Sequence, residues 1–234
     1  MEKVNLLLLP GLLNDASLFE QQVAVLTEEA CIAVADLTGS DSIAALAADA
    51  LAQAPGERFA LAGLSMGGYV AFEIMRRAPQ RVRALALLDT TARPDTREAT
   101  MAREELMRLA ESDFPAVIES MLPRLAHPAR ANTPEVGGVI QSMAASLGKD
   151  VFLRQQRAII GRIDSRPGLG RIACPTLVLC GRDDLITPPE AHRELAEAIS
   201  GARLEIIEEC GHLSPLDQPE QVTEALQRWL RDAP

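Results

Sequence analysis

The chain has 234 residues, 47% of them apolar and 24% charged, with a formal net charge of −10 and an isoelectric point near 4.9. That length suits one sizeable core, with or without an insertion, and needs no disulfide or metal staple. The acidic balance argues against a nucleic-acid binder, which requires a basic face, and no segment approaches the ~18 apolar residues of a membrane span.

The opening MEKVNLLLLPGLL is not read as a leader: its first charges cancel, and its apolar run stops at Pro10–Gly11. It is predicted to be a buried strand, Val4–Leu9. Further short apolar runs follow at Ile32–Ala35, Phe59–Ala62, Ala84–Leu88, Thr176–Cys180 and Leu204–Ile207. None alternates polar with apolar, so these strands are expected to be covered on both faces, as in a parallel sheet. Helical patterns lie between them at Ser17–Glu29, Ser42–Gln53, Met66–Arg77, Pro189–Ile199 and Pro219–Arg231, several opening on a polar cap or an early proline. Alternating strand and helix predicts an α/β, mostly parallel, doubly wound sheet of about six strands. Its functional loops should gather at the carboxyl ends of the strands.

One stretch breaks the alternation. Between the fourth and fifth strands the sequence reads as helices near Arg97–Glu111, Phe114–Leu125, Pro134–Leu147 and Val151–Ile163, because a structureless loop of that length is improbable. The expected division is a core of residues 1–92 and 167–234 and a helical insertion of residues 93–166. From Thr91 to Ser165 ten basic residues face ten acidic ones, so the net charge sits on the rest of the chain. The segment's Met101, Met107, Met121 and Met143 suit core packing or an adaptable acyl pocket. Its basic residues, Arg124, Arg130, Lys149, Arg154, Arg157 and Arg162, read as a solvated face, or else as a lure for an anionic substrate or an acidic carrier protein.

Four cysteines, Cys31, Cys174, Cys180 and Cys210, form no CxxC pair and lack zinc spacing. They are expected as buried free thiols, which fits a reducing, cytoplasmic location.

The sharpest local signal is Gly63-Leu64-Ser65-Met66-Gly67-Gly68, between a strand and a helix. Such a turn lifts a serine hydroxyl clear of the backbone, and flanking side chains would collide. A serine needs a base. His127 precedes Pro128 inside the insertion, and His192 lies in the charged run AHRELAEAI, read as a solvated face. His212, in the loop after the last strand, lies at the same sheet edge as Ser65. The acid that orients the base should fall between serine and histidine in chain order; Asp183 and Asp184, ending the strand PTLVLCGRDD, compete with Asp89. Oxyanion donors are expected from the backbone N–H of Met66 and, in the loop Leu9–Asn14, of Leu12.

With these motifs in place the chain resembles the α/β-hydrolase superfamily along nearly its full length. GLSMGG resembles its nucleophile elbow, GRDD-x-x-TPP its acid loop, and CGHLSPLDQPEQVTEALQRWL its histidine loop and closing helix. The resemblance selects Asp184, three residues after the glycine. It implies that Ser65 is the nucleophile, His212 the base, and residues 93–166 a cap or lid. Two features depart from the pattern: Pro10–Gly11 stands where His-Gly is common, and the usual leading hairpin strands are absent.

The implied activity is hydrolysis of small or medium carboxylic esters, with neither cofactor nor metal and a small ester-like molecule as partner. The same residues would serve a thioester, a lactone, a carbon–carbon bond or perhydrolysis. A ligand receptor on the same fold is the alternative outside enzymes.

Overall fold

The structure, a computed structural model, describes residues 3–232; the outermost residues of the expected core, 1–2 and 233–234, lie outside it. Six parallel strands form one sheet in the order β2-β1-β3-β4-β5-β6. They are β1 (Val4–Leu9), β2 (Ala30–Val34), β3 (Phe59–Leu64), β4 (Val82–Leu88), β5 (Thr176–Gly181) and β6 (Arg203–Ile207).

The apolar runs are double-faced because strand side chains alternate. Leu6 and Leu8 of β1 point to one side, with Ala60 and Ala62 of β3, and pack under α1 (Glu20–Leu26) and the closing helix α9 (Pro219–Arg231). Leu7 and Leu9 point to the other, with Leu61 and Leu87. There they meet α2 (Ile43–Ala52), α3 (Met66–Arg77) and α7 (Pro189–Ala198). Burying each such leucine contributes about 1.5–3 kcal/mol. This is the doubly wound α/β sheet that the apolar runs predict.

The two edges differ from the centre. β2 and β6 are only partly covered, so Cys31 is exposed on β2; Cys174, in the loop before β5, is half-buried, whereas Cys180 and Cys210 are fully enclosed. The expectation of four buried thiols is corrected for the first two. Ser17–Glu29 also opens differently. Asp15 accepts the Ser17 N–H at 2.8 Å and closes a 3-10 turn, Ala16–Phe19, before α1 begins.

Between β4 and β5 stand α4 (Arg97–Ser112), α5 (Phe114–Leu125), a π turn (Pro134–Gly138) and α6 (Val139–Ile160). α6 breaks at Gly148, whose φ of 79° only glycine adopts readily. Val117, Ala144 and Phe152 are the centre of a small core of their own, with the Phe114 ring 5.8 Å from that of Phe152. A short α8 (Ser214–Asp217) precedes α9.

The side on which successive strands are added reverses at β1: β2 lies on one side of it, and β3 begins the march to the other. In sheets of this type the crevice beyond the strand ends at that reversal is where ligands bind. Among the described residues no helix is long and apolar enough to cross a membrane.

Candidate active site

Ser65 alone connects β3 to α3, with φ 52° and ψ −112°. An L-residue held there stores on the order of 1–3 kcal/mol of strain. Its neighbours fix it. The Ser65 N–H donates to the Leu88 carbonyl at 3.0 Å, and the Thr90 hydroxyl donates to the Ser65 carbonyl at 2.8 Å. The turn presses α3 onto the end of β1 so closely that a Cβ on Gly67 would strike the Leu9 carbonyl.

Loops from β5 and β6 bring two more groups to this point. His212 Nε2 lies 2.8 Å from Ser65 Oγ, and His212 Nδ1 lies 2.8 Å from Asp184 Oδ2. A carboxylate can only accept, so the ring proton sits on Nδ1 and leaves Nε2 free to receive the serine proton. Asp184 is itself gripped: Thr187 Oγ1 donates to Oδ2 at 2.7 Å, while the Ile186 and Thr187 N–H groups donate to Oδ1 at 2.8 and 2.9 Å. Burial is the largest single influence on Asp184 and pushes its pKa up, but the adjacent His212 and the Thr187 bonds together hold it below the ordinary carboxylate value. The converse holds for His212. Burial disfavours its charge, yet Asp184 raises its pKa above the ordinary imidazole value.

The histidine loop is stitched to its surroundings. Asp217, almost wholly buried, accepts from the Gly211 N–H and from the His127 N–H, each at 2.7 Å. The Leu213 N–H donates to the Leu125 carbonyl at the end of α5, at 2.8 Å.

The other acids fall elsewhere. Asp183 is about half exposed, 3.8 Å from His127 Nε2. Asp89 is fully buried behind the site: its Oδ1 accepts the Gly181 N–H at 3.0 Å and its Oδ2 meets the Ser214 hydroxyl at 2.5 Å. Burial, reinforced by the charge of Asp184, raises its pKa to about 8. His192 corrects the reading of a solvated face. It is fully buried, and its Nε2 accepts the Thr90 N–H at 2.9 Å. Burial lowers its pKa to about 4, so it is a neutral brace for the residue that braces Ser65. The signal was present, since His192, Leu195 and Ile199 lie on one helical stripe.

Met66 opens α3, where N–H groups lack helical partners. Leu12 lines the adjoining cavity, and Gly11 runs so close to the serine that a Cβ there would lie 3.4 Å from that of Ser65. The loop is held from α6: Gln155, fully buried, accepts the Leu13 N–H at 2.9 Å and donates to the Leu37 carbonyl at 3.0 Å. Sequence reasoning passed over this glutamine, and also Thr187.

The cavity, about 540 Å³, opens onto Ser65 and His212. Leu106, Met121, Leu125 and Ile159 from the inserted helices form apolar walls, with Ile186 opposite. Of the methionines, Met121 lines this space, Met143 is packed into the main core, Met107 borders the small core, and Met101 is exposed. The basic residues divide too. Arg157 is exposed, while Arg162 is nearly buried with its guanidinium 4.3 Å from the Tyr69 ring centre. Among the described residues no group of three or more His, Cys, Asp or Glu side chains is placed to hold a metal ion.

A parallel sheet with a strained serine between strand and helix, hydrogen-bonded to a histidine, defines a hydrolase-type fold and site. The model of the alpha/beta hydrolase family matches residues 6–225, and the chain belongs to that family. A pimeloyl-[acyl-carrier protein] methyl ester esterase from Chromobacterium violaceum is 29% identical over 213 residues, 86% of this chain and 84% of that one. Among solved structures, an esterase from Thermogutta terrifontis with malate bound superposes with a TM-score of 0.89 at 33% identity, covering 98% of this chain and 90% of that one. The enol-lactonase from Burkholderia xenovorans LB400 gives 0.87 at 25% identity, covering 98% and 92%.

Proposed function

We propose that the protein is a serine hydrolase that cleaves carboxylic esters of small or medium acyl groups through an acyl-enzyme on Ser65. The observation that carries this reading is the unbroken chain from Ser65 Oγ through His212 to Asp184, with both links at 2.8 Å. Similarity to two esterases and an enol-lactonase, a lactone being an internal ester, supports it.

Ser65 Oγ attacks the ester carbonyl carbon while its proton passes to His212 Nε2. Asp184 stabilises the imidazolium and keeps the Nδ1 proton in place. The carbonyl oxygen becomes an oxyanion facing the backbone N–H groups of Met66 and Leu12, each worth about 3 kcal/mol to the transition state. On collapse the carbon–oxygen bond to the alcohol breaks, and the departing alkoxide takes the proton from His212. Water then enters: His212 removes its proton, hydroxide oxygen adds to the acyl carbon, the bond to Ser65 Oγ breaks, and the proton returns to the serine. The products are one acid and one alcohol.

Residues 93–166 act as the cap, supplying the apolar walls that hold the acyl chain and exclude water. The test is covalent labelling. The wild type should react with a fluorophosphonate probe and hydrolyse p-nitrophenyl butyrate, and Ser65→Ala should fold but do neither. Equal labelling of the variant would remove Ser65 from the role.

A further inference from the structure

One end of the cavity is built from hydrogen-bond donors. Tyr69 lies on α3 one turn past Ser65, about 6 Å along the axis, and Arg162 stacks on its ring. Arg162 Nη2 and Arg103 Nε each hold one oxygen of Asp95 at 2.7 Å. Burial raises the pKa of Asp95, but the two arginines outweigh it and keep the carboxylate ionised. Two guanidinium groups against one carboxylate leave a surplus positive charge.

Beside them, Arg103 Nη1 donates to Gln156 Oε1 at 2.9 Å. Since a guanidinium cannot accept, this bond fixes which way the amide points. Gln156 is fully buried, lines the cavity, and its Nε2 has no hydrogen-bond partner among the described residues. A native fold rarely retains a buried donor without an acceptor; here a ligand would supply one. The wider wall agrees: Arg93, Arg103, Arg124 and Arg162 line the cavity against Asp95 and Glu190, in a chain whose net charge is −10.

We propose that Gln156 Nε2, with Arg103 and Arg162, seats a carboxylate, so that the substrate is an ester bearing a carboxylate a few carbons from the scissile carbonyl. This rests on the ester-hydrolase reading above and names the substrate class of the same site. A carboxylate suits the seat because Gln156 Nε2 donates beside two guanidinium groups. Arg162, whose Nε and Nη1 already donate to the Arg93 and Ile159 carbonyls at 3.1 and 2.9 Å, supplies charge rather than a further N–H, and charge-assisted bonds in an enclosed site are the strong ones.

The test compares esters matched in chain length. Monomethyl adipate against methyl hexanoate places the charge on the acyl side; the butyrate ester of 4-hydroxybutyrate against butyl butyrate places it on the alcohol side. For at least one pair, kcat/KM should favour the anionic ester by about tenfold or more, and that ratio should fall about tenfold in Gln156→Leu and in Arg103→Met. A ratio at or below one for both pairs overturns the proposal, as does a preference that both substitutions leave intact. Because Arg103 also ties α4 to its surroundings, Ser65→Ala with its cavity wall otherwise unaltered gives a second reading. Calorimetric titration should show at least one anionic ester binding about tenfold tighter than its neutral partner, and equal affinities for both pairs count against the seat. Failure of every ester together with absent fluorophosphonate labelling would instead sink the hydrolase reading. Turnover without anionic preference sinks only this one.

Discussion

Replacing Asp89 by asparagine removes a carboxyl that the fold keeps protonated. In the native protein its pKa is raised to about 8 by burial and by the charge of Asp184, against an ordinary value of 3.8. Between those values the folded chain binds a proton there that the unfolded chain releases. The stability linked to this proton is complete below the unfolded pKa and is lost as pH rises toward the folded one. The loss is about 1.4 kcal/mol per pH unit, so from pH 5 to pH 7 the wild type should lose about 3 kcal/mol through this group. Asparagine does not titrate. Its Oδ1 can still accept from Gly181 and its Nδ2 can donate to the Ser214 hydroxyl once that hydroxyl turns, while the long Ser214 N–H contact at 3.4 Å is lost, an offset that does not vary with pH. The stability of Asp89→Asn relative to wild type should therefore climb by about 3 kcal/mol over that window, read from urea unfolding at pH 5, 6 and 7. Ester turnover should persist, because Asp184 is the acid hydrogen-bonded to His212. A difference that stays flat with pH would mean Asp89 is ionised in the fold, and the reasoning about paired buried carboxyls would be wrong.

Three further outcomes are expected. The acid limb of kcat/KM for p-nitrophenyl butyrate should have its midpoint above 6.5, because the proposed base, His212, can accept a proton only when neutral and its pKa is raised; a midpoint at or below 6.5 would contradict this. Gln155→Leu should leave the Leu13 N–H and Leu37 carbonyl unpaired, costing about 2–6 kcal/mol and lowering both Tm and kcat as the loop carrying Leu12 loosens. An unchanged Tm would show the staple to be idle. Gly67→Ala should cost about 3 kcal/mol or more through collision with Leu9, whereas Gly138→Ala, whose Cβ has nothing nearer than 3.9 Å, should be neutral or slightly stabilising; similar Tm values for the two would argue against the tight turn.

The parts legible in the sequence are those that local chemistry dictates. The apolar runs give the strands because a strand covered on both faces is mostly apolar at successive positions, as in Leu6–Leu9 and Ala84–Leu88. The serine turn is legible because only glycines fit around it. Asp183 and Asp184 could not be separated by residue type, since the loop's curl decides which carboxylate turns inward; only the family pattern pointed to Asp184. Strand order is not written in any one run, so nothing marked β2 as an edge or Cys31 as exposed. His192 was hidden by its charged neighbours, which face away from the stripe it shares with Leu195 and Ile199. The Arg103–Gln156 contact joins residues 53 apart and exists only once α4 and α6 pack.

Gln155 and Gln156 are adjacent on α6, yet one secures the loops after β1 and β2 while the other borders the cavity. Sliding or rotating that helix to reshape the pocket would pull the loop beside Ser65 out of place. New selectivity is therefore easier to evolve or engineer at single pocket-facing side chains such as Leu106 of α4 and Met121 of α5, which line the cavity by packing alone. The fold thus fixes its inserted helices as bodies, α5 through the Leu125 carbonyl that holds the histidine loop and α6 through Gln155, and leaves change to single side chains on their pocket faces.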